Sequence, residues 1–86
     1  MPYKVLIRRQ AQKKLQSLDR KERSRLAERI NELGRNPDDS ALDIKRLADV
    51  PLHRLRMDDW RIIYDRQDAV RIIAIEKIKP RGDAYK

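Results

Sequence analysis

The stretch Leu52–Tyr64 (LHRLRMDDWRIIY) limits the choice of fold more than any other part of this chain. It reads as two strands, Leu52–Met57 and Trp60–Tyr64, joined by Asp58-Asp59. Two-residue hairpin loops need residues that tolerate positive φ, and Asp is one of the few besides Gly and Asn. Such a loop pairs Met57 with Trp60, Arg56 with Arg61, Leu55 with Ile62 and Arg54 with Ile63. Because side chains alternate along a strand, His53, Leu55, Met57, Trp60, Ile62 and Tyr64 share one face. Arg54, Arg56 and Arg61 share the other. Like charges set directly opposite each other destabilise a sheet. An anionic partner would relieve the Arg56–Arg61 opposition.

The flanking sequence supplies the rest of an α+β domain. Tyr3–Arg8 alternates as an opening strand. Ala11, Leu15 and Leu18 then recur at helical spacing, as do Leu26, Ile30 and Leu33, with Ala27 beside them. Asp19 is placed to cap the second helix, and Glu22 completes a D-x-x-E capping box. Gly34 suits a left-handed residue after that helix, and Pro37 bars its resumption. Ala41–Val50 is open between an irregular segment and a short strand. Arg66–Ala69 reads as a turn, and Val70–Ile78 (VRIIAIEKI) as a central strand with apolar residues on both faces. The order is β-α-α-β-β-β. Its N-terminal helical hairpin should pack on one face of a mainly antiparallel twisted sheet, leaving the arginine face open. Residues 1–86 read as one domain.

Composition narrows the function classes. A chain of 86 residues buries about 60% of its unfolded surface, and without Phe this core rests on Leu, Ile and Val. A net charge of +8 directs attention to polyanions: RNA, DNA, a membrane surface or an acidic protein. The absence of Cys excludes disulfide scaffolds and Cys-ligated zinc, and one His excludes a His-rich metal site. No apolar run approaches the roughly 20 residues of a membrane span, and no signal-peptide pattern is present, so the expected compartment is the cytoplasm.

Guanidinium groups match phosphate oxygens in bidentate geometry and stay charged at every relevant pH. The Arg54/Arg56/Arg61 face can therefore hold a phosphodiester or stabilise the charge that builds on phosphorus during cleavage. The alternative is a set of surface arginines paired with Asp58, Asp59 and Asp65. RNA brings its own nucleophile, the 2′-hydroxyl, so its cleavage requires alignment, charge neutralisation and proton transfer but no metal. Arg81 and Tyr85, from the tail after the last strand, are expected on the same side. Tyr85 is equally suited to contact RNA or to anchor the tail. The register turns His53 and Trp60 toward the helices, as packed residues rather than an acid–base group and a base-stacking platform. Tyr64 goes with them, its hydroxyl expected at the sheet edge.

Three blocks in this order resemble the RelE/ParE superfamily of bacterial toxins: Asp43-Ile44-Lys45-Arg46-Leu47, the hairpin Leu52–Tyr64, and Ile78-Lys79-Pro80-Arg81-Gly82-Asp83-Ala84-Tyr85. The resemblance implies a RelE-like microbial ribonuclease fold and a cognate antitoxin protein as partner. It implies cleavage of mRNA on the ribosome by 2′-OH attack, without metal or cofactor, and no membrane association. The superfamily's alternative activity is ParE-like inhibition of DNA gyrase without nuclease activity. By position, Arg61 matches the arginine that holds the scissile phosphate. Arg81 matches a C-terminal arginine implicated in phosphate stabilisation or proton donation, and Tyr85 a C-terminal tyrosine. Arg54 matches a basic position that is lysine in the best-known enzymes. Arg56, Lys79, Lys45 and Arg46 complete the expected phosphate-binding set. Two positions depart from the pattern. Arg54, with a pKa of roughly 13, is poorly suited to act as a base. Leu52 stands where some relatives carry a second lysine, so charge neutralisation falls to Arg56 or Lys79.

Overall fold

The computed structural model describes residues 2–80. Its elements are β1 (Lys4–Ile7), α1 (Arg9–Ser17), α2 (Arg20–Arg35), β2 (Asp43–Arg46), β3 (His53–Met57), β4 (Trp60–Gln67) and β5 (Ile72–Pro80). The sheet runs β1-β5-β4-β3-β2. Only β1 and β5 pair in parallel. The α+β architecture with a helical hairpin on one sheet face is the expected one. The segment left open resolves as β2, which adds a fifth strand.

Each helix is amphipathic by spacing. Ala11 and Leu15 of α1 and Leu26, Ile30 and Leu33 of α2 are buried, and Leu18 packs against them. Ala27, beside this stripe in the sequence, is exposed. They meet Leu55, Met57, Ile62, Tyr64, Ile73, Ile75 and Ile78 from the sheet. The Asp19 side chain caps α2 by accepting from the Glu22 N–H at 2.8 Å. Such a cap contributes about 1 kcal/mol.

Gly34 behaves differently from its expected role. It lies inside α2, which continues to Arg35. A Cβ there would come within 2.7 Å of Val5 Cγ2. The glycine is needed for close approach to β1, where the Tyr3 N–H donates to the Gly34 carbonyl at 2.6 Å. The hairpin register matches the expected pairs from Arg54↔Ile63 to Met57↔Trp60, with Asp58 at φ 53°. The next turn lies two residues later than expected. Arg66 and Gln67 stay in the ladder opposite Ile73 and Ile72, and Arg71 takes the positive φ, 54°. Arg66 is anchored bidentately to Asp38 at 2.8 and 3.1 Å and to Asp68 at 2.7 Å.

One irregularity in β5 shapes the open face. Ile63 pairs with Lys77 but Tyr64 pairs with Ile75, so Glu76 is the extra residue of a β-bulge. An extra residue inverts the alternation beyond it. Ile73 and Ile75 therefore face the helices, and so does Ile78. Lys77 and Lys79 turn to the other side.

Candidate phosphate-binding face

Residues directly opposite in a ladder project from the same face of the sheet. Asp43 pairs with Arg56, Arg56 with Arg61, and Arg61 with Lys79, a row across β2, β3, β4 and β5. The adjacent row is Lys45, Arg54, Ile63 and Lys77. These two rows place six cations (Lys45, Arg54, Arg56, Arg61, Lys77, Lys79) around one carboxylate, that of Asp43. The helices pack on the opposite face.

Arg61 is the anchor of this face. It is 6% exposed, the only buried charged residue among those described. Its Nη1 donates to the Asp58 carbonyl at 3.4 Å and the Trp60 carbonyl at 3.2 Å. Its Nε is buried without a hydrogen-bond partner, and no carboxylate pairs with it among the described residues. A buried guanidinium held by neutral carbonyls keeps its full charge for an outside anion. The alternative ion pairs do not form as the sequence suggested. The Asp58 carboxylate is taken by Arg25 of α2. Arg54 instead reaches Asp43, at 3.7 Å, with only 12% of its side chain exposed. Arg56 is exposed beside Arg61.

Not every expected residue joins the cluster. Arg46 pairs with His53, which places it on the side opposite Lys45 and Arg54. A one-residue step along a strand reverses direction, so Lys45 and Arg46 cannot serve the same face. Arg81 and Tyr85 lie outside the described residues. Lys77 was missed, although the spacing of Ile73, Ile75 and Ile78, two and then three, carries the signal of the bulge.

The helix-side aromatics are packed as expected. His53 stacks on Tyr64 with ring centroids 5.3 Å apart. Burial holds the imidazole below its usual pKa, with Arg46 and Arg66 acting in the same direction. Tyr64 is 1% exposed, and burial pushes its phenol up to about 12. It sits on the central strand rather than at the sheet edge. Trp60 packs against the core, and its Nε1 donates to Glu22 at 2.6 Å. No metal-binding cluster of His, Asp or Glu occurs among the described residues. No helix there is long and apolar enough to cross a membrane.

Fold and face together define a small α+β domain with a cation-rich sheet surface. No protein-family model matches the chain, and no curated protein matches it in sequence. Solved structures do. The archaeal RelE–RelB complex from Pyrococcus horikoshii OT3 matches with a TM-score of 0.81 at 35% identity, over 98% of this chain and 100% of that one. The toxin–antitoxin complex RelBE2 from Mycobacterium tuberculosis matches with a TM-score of 0.79 at 21% identity, over 96% and 95%. The free E. coli toxin RelE, as a double mutant, matches with a TM-score of 0.76 at 18% identity, over 98% and 87%. The chain belongs to the RelE-like toxin superfamily.

Proposed function

We propose that this protein is the toxin of a toxin–antitoxin pair and a ribosome-dependent endoribonuclease that cleaves mRNA in the cytoplasm. The observation that carries this reading is Arg61: buried, held by two backbone carbonyls, and flanked in register by Arg56 and Lys79. A phosphodiester laid on this face meets a buried, anchored guanidinium with a more accessible cation on either side. That arrangement favours the extra negative charge of a pentacoordinate phosphorus over the ground-state diester.

In the proposed reaction the 2′-oxygen attacks the adjacent phosphorus and the bond to the 5′-oxygen breaks. The products are a 2′,3′-cyclic phosphate and a free 5′-hydroxyl. The proton lost by the 2′-OH must be accepted, and one must reach the leaving oxygen. Arg54 is a poor acceptor because guanidinium keeps its proton. His53 lies on the other side of the sheet from Arg54. Water is therefore the acceptor we assign and water also protonates the leaving oxygen, while the proposed role of Arg81 is to stabilise the phosphate charge and that of Tyr85 to hydrogen-bond to the RNA. The proposed partner that silences the toxin is a protein antitoxin. RelE–RelB complexes among the structural matches support that assignment.

The test is induction of the chain alone in a bacterium, with new mRNA 5′ ends mapped and Arg61→Ala as control. Cuts inside translated codons that vanish with Arg61→Ala are the expected result. Growth arrest with intact messages would replace this reading with gyrase inhibition.

A further inference from the structure

A second basic feature lies where β5 outruns its neighbour. β1 pairs only with Ile72–Ile75, so Lys77 and the residues after it have no partner strand on that edge among the described residues. Helix α1 runs beside this edge and leaves a groove of about 390 Å³. Lys13, Lys14, Lys77 and Lys79 line it with Gln10 and Ser17, and no acidic residue among those described does. None of the four lysines is ion-paired among the described residues. Lys14 lies over the Trp60 ring at 5.7 Å, and the Ser17 hydroxyl is occupied with the Lys14 carbonyl at 2.7 Å.

Lys79 belongs to both places. It lines the groove and stands opposite Arg61 in the ladder. Positive charge is therefore continuous from Arg56 and Arg61, over the end of β5, into the groove. An unpaired strand edge is also a template for an added peptide strand, but edge lysines oppose such pairing. Four lysines with no carboxylate among the described lining residues suit a flexible polyanion. Lysine is a point charge that tracks a backbone without reading bases.

We propose that this groove holds the single-stranded RNA backbone leading to or from the phosphate at Arg61. This inference rests on the RNA-cleaving reading above and adds Lys13 and Lys14 to the RNA-binding surface, with Lys77 and Lys79 shared between groove and arginine face. It predicts a contribution to affinity that grows with RNA length and is independent of sequence.

The experiment is equilibrium binding of 2′-O-methyl RNA, which cannot be cleaved, to the full chain over a range of salt. A dinucleotide and a dodecamer are compared. Lys13 is exposed and Lys14 half-buried on α1, outside the arginine face, so the double variant Lys13→Glu/Lys14→Glu should keep its fold, checked by circular dichroism. The expected result is a loss of about tenfold or more for the dodecamer and no change for the dinucleotide. In the milder Lys13→Gln/Lys14→Gln variant the salt slope should fall by about 1.4, since each phosphate contact contributes about 0.7 for single strands. Arg61→Ala should weaken both oligonucleotides. An unchanged dodecamer affinity and slope in the lysine variants, with Arg61 still required, overturns the groove and leaves the arginine site standing. Lysine dependence without Arg61 dependence upholds the groove and overturns the arginine site. Loss of affinity for a polyglutamate peptide, with RNA affinity intact, makes the groove a protein site and overturns the proposal.

Discussion

The indole N–H of Trp60 donates to the Glu22 carboxylate at 2.6 Å, tying the first turn of α2 to the β3–β4 hairpin. Arg25 reinforces the link by pairing with Glu22 at 3.5 Å and with Asp58. Asp58 and Trp60 are also the residues whose carbonyls accept from Arg61. One helix thus fixes, through two side chains, the loop that aims the buried guanidinium on the far side of the sheet.

Trp60→Phe should test that linkage. Removing a partly buried hydrogen bond to a charged acceptor costs about 1–2 kcal/mol. We expect that loss in urea denaturation, together with weaker Arg61-dependent RNA binding. A double-mutant cycle with Glu22→Gln should show coupling of about 1 kcal/mol. Independent, additive effects would place the two residues in separate roles.

Arg61→Met should separate stability from activity. The side chain is buried with an unpartnered Nε and faces Arg56 across the ladder. Replacing a buried charge by an apolar chain of similar volume is often neutral or stabilising by about 1–4 kcal/mol. The variant should unfold at the same temperature or higher while the proposed RNA cleavage is lost. A lower melting temperature would mean that the two carbonyl contacts contribute more than the charge costs.

Gly34→Ala should destabilise, although alanine is the better helix former by about 1 kcal/mol. The new methyl would sit 2.7 Å from Val5 Cγ2, and valine is stiff at χ1. Overpacking of this kind costs about 1–3 kcal/mol. Adding Val5→Ala should recover part of the loss. Failure of that rescue in thermal melts would move the conflict to the Tyr3 backbone.

Acidification should weaken the fold in two stages. His53 titrates lower in the fold than in the unfolded chain, mainly through burial. Its contribution is present above about pH 6.5 and is lost as pH falls from there toward the folded value. Asp38, bonded to Arg66, and Asp68, bonded to Tyr3 and Arg66, are both held below the usual carboxylate range. Their stabilisation is present above about pH 3.9 and goes as pH falls through the folded values. Melting temperature against pH should show both declines, and His53→Phe should remove the first. On the alkaline side, unfolding should release the Tyr64 proton between about pH 10 and the folded value of about 12.

Local chemistry determined much of this protein. Helix spacing in Ala11–Leu15 and Leu26–Ile30–Leu33, the Asp19 cap and the Asp58 loop each act within a few residues, so each was readable. The hairpin was legible to the level of register, because a short loop leaves one pairing that keeps Leu55, Ile62 and Tyr64 together. That register alone placed Arg54, Arg56 and Arg61 on one face and His53 on the other. Other features depended on partners far away in the chain. Gly34 serves a strand about thirty residues earlier, so its local reading as a helix terminator failed. The bulge at Glu76 falls where the β1 pairing ends and β5 continues along β4, and it is what brings Lys77 and Lys79 beside Arg61. Arg46 was placed with Lys45 because the edge strand β2 is too short to show its own alternation. The pairing of Asp58 with Arg25 and of Arg54 with Asp43 likewise joins separate elements. Sequence alone determined which residues alternate and which turns close. Only the assembled sheet and helices decided which charges stand together, because electrostatic partners are chosen by distance in space.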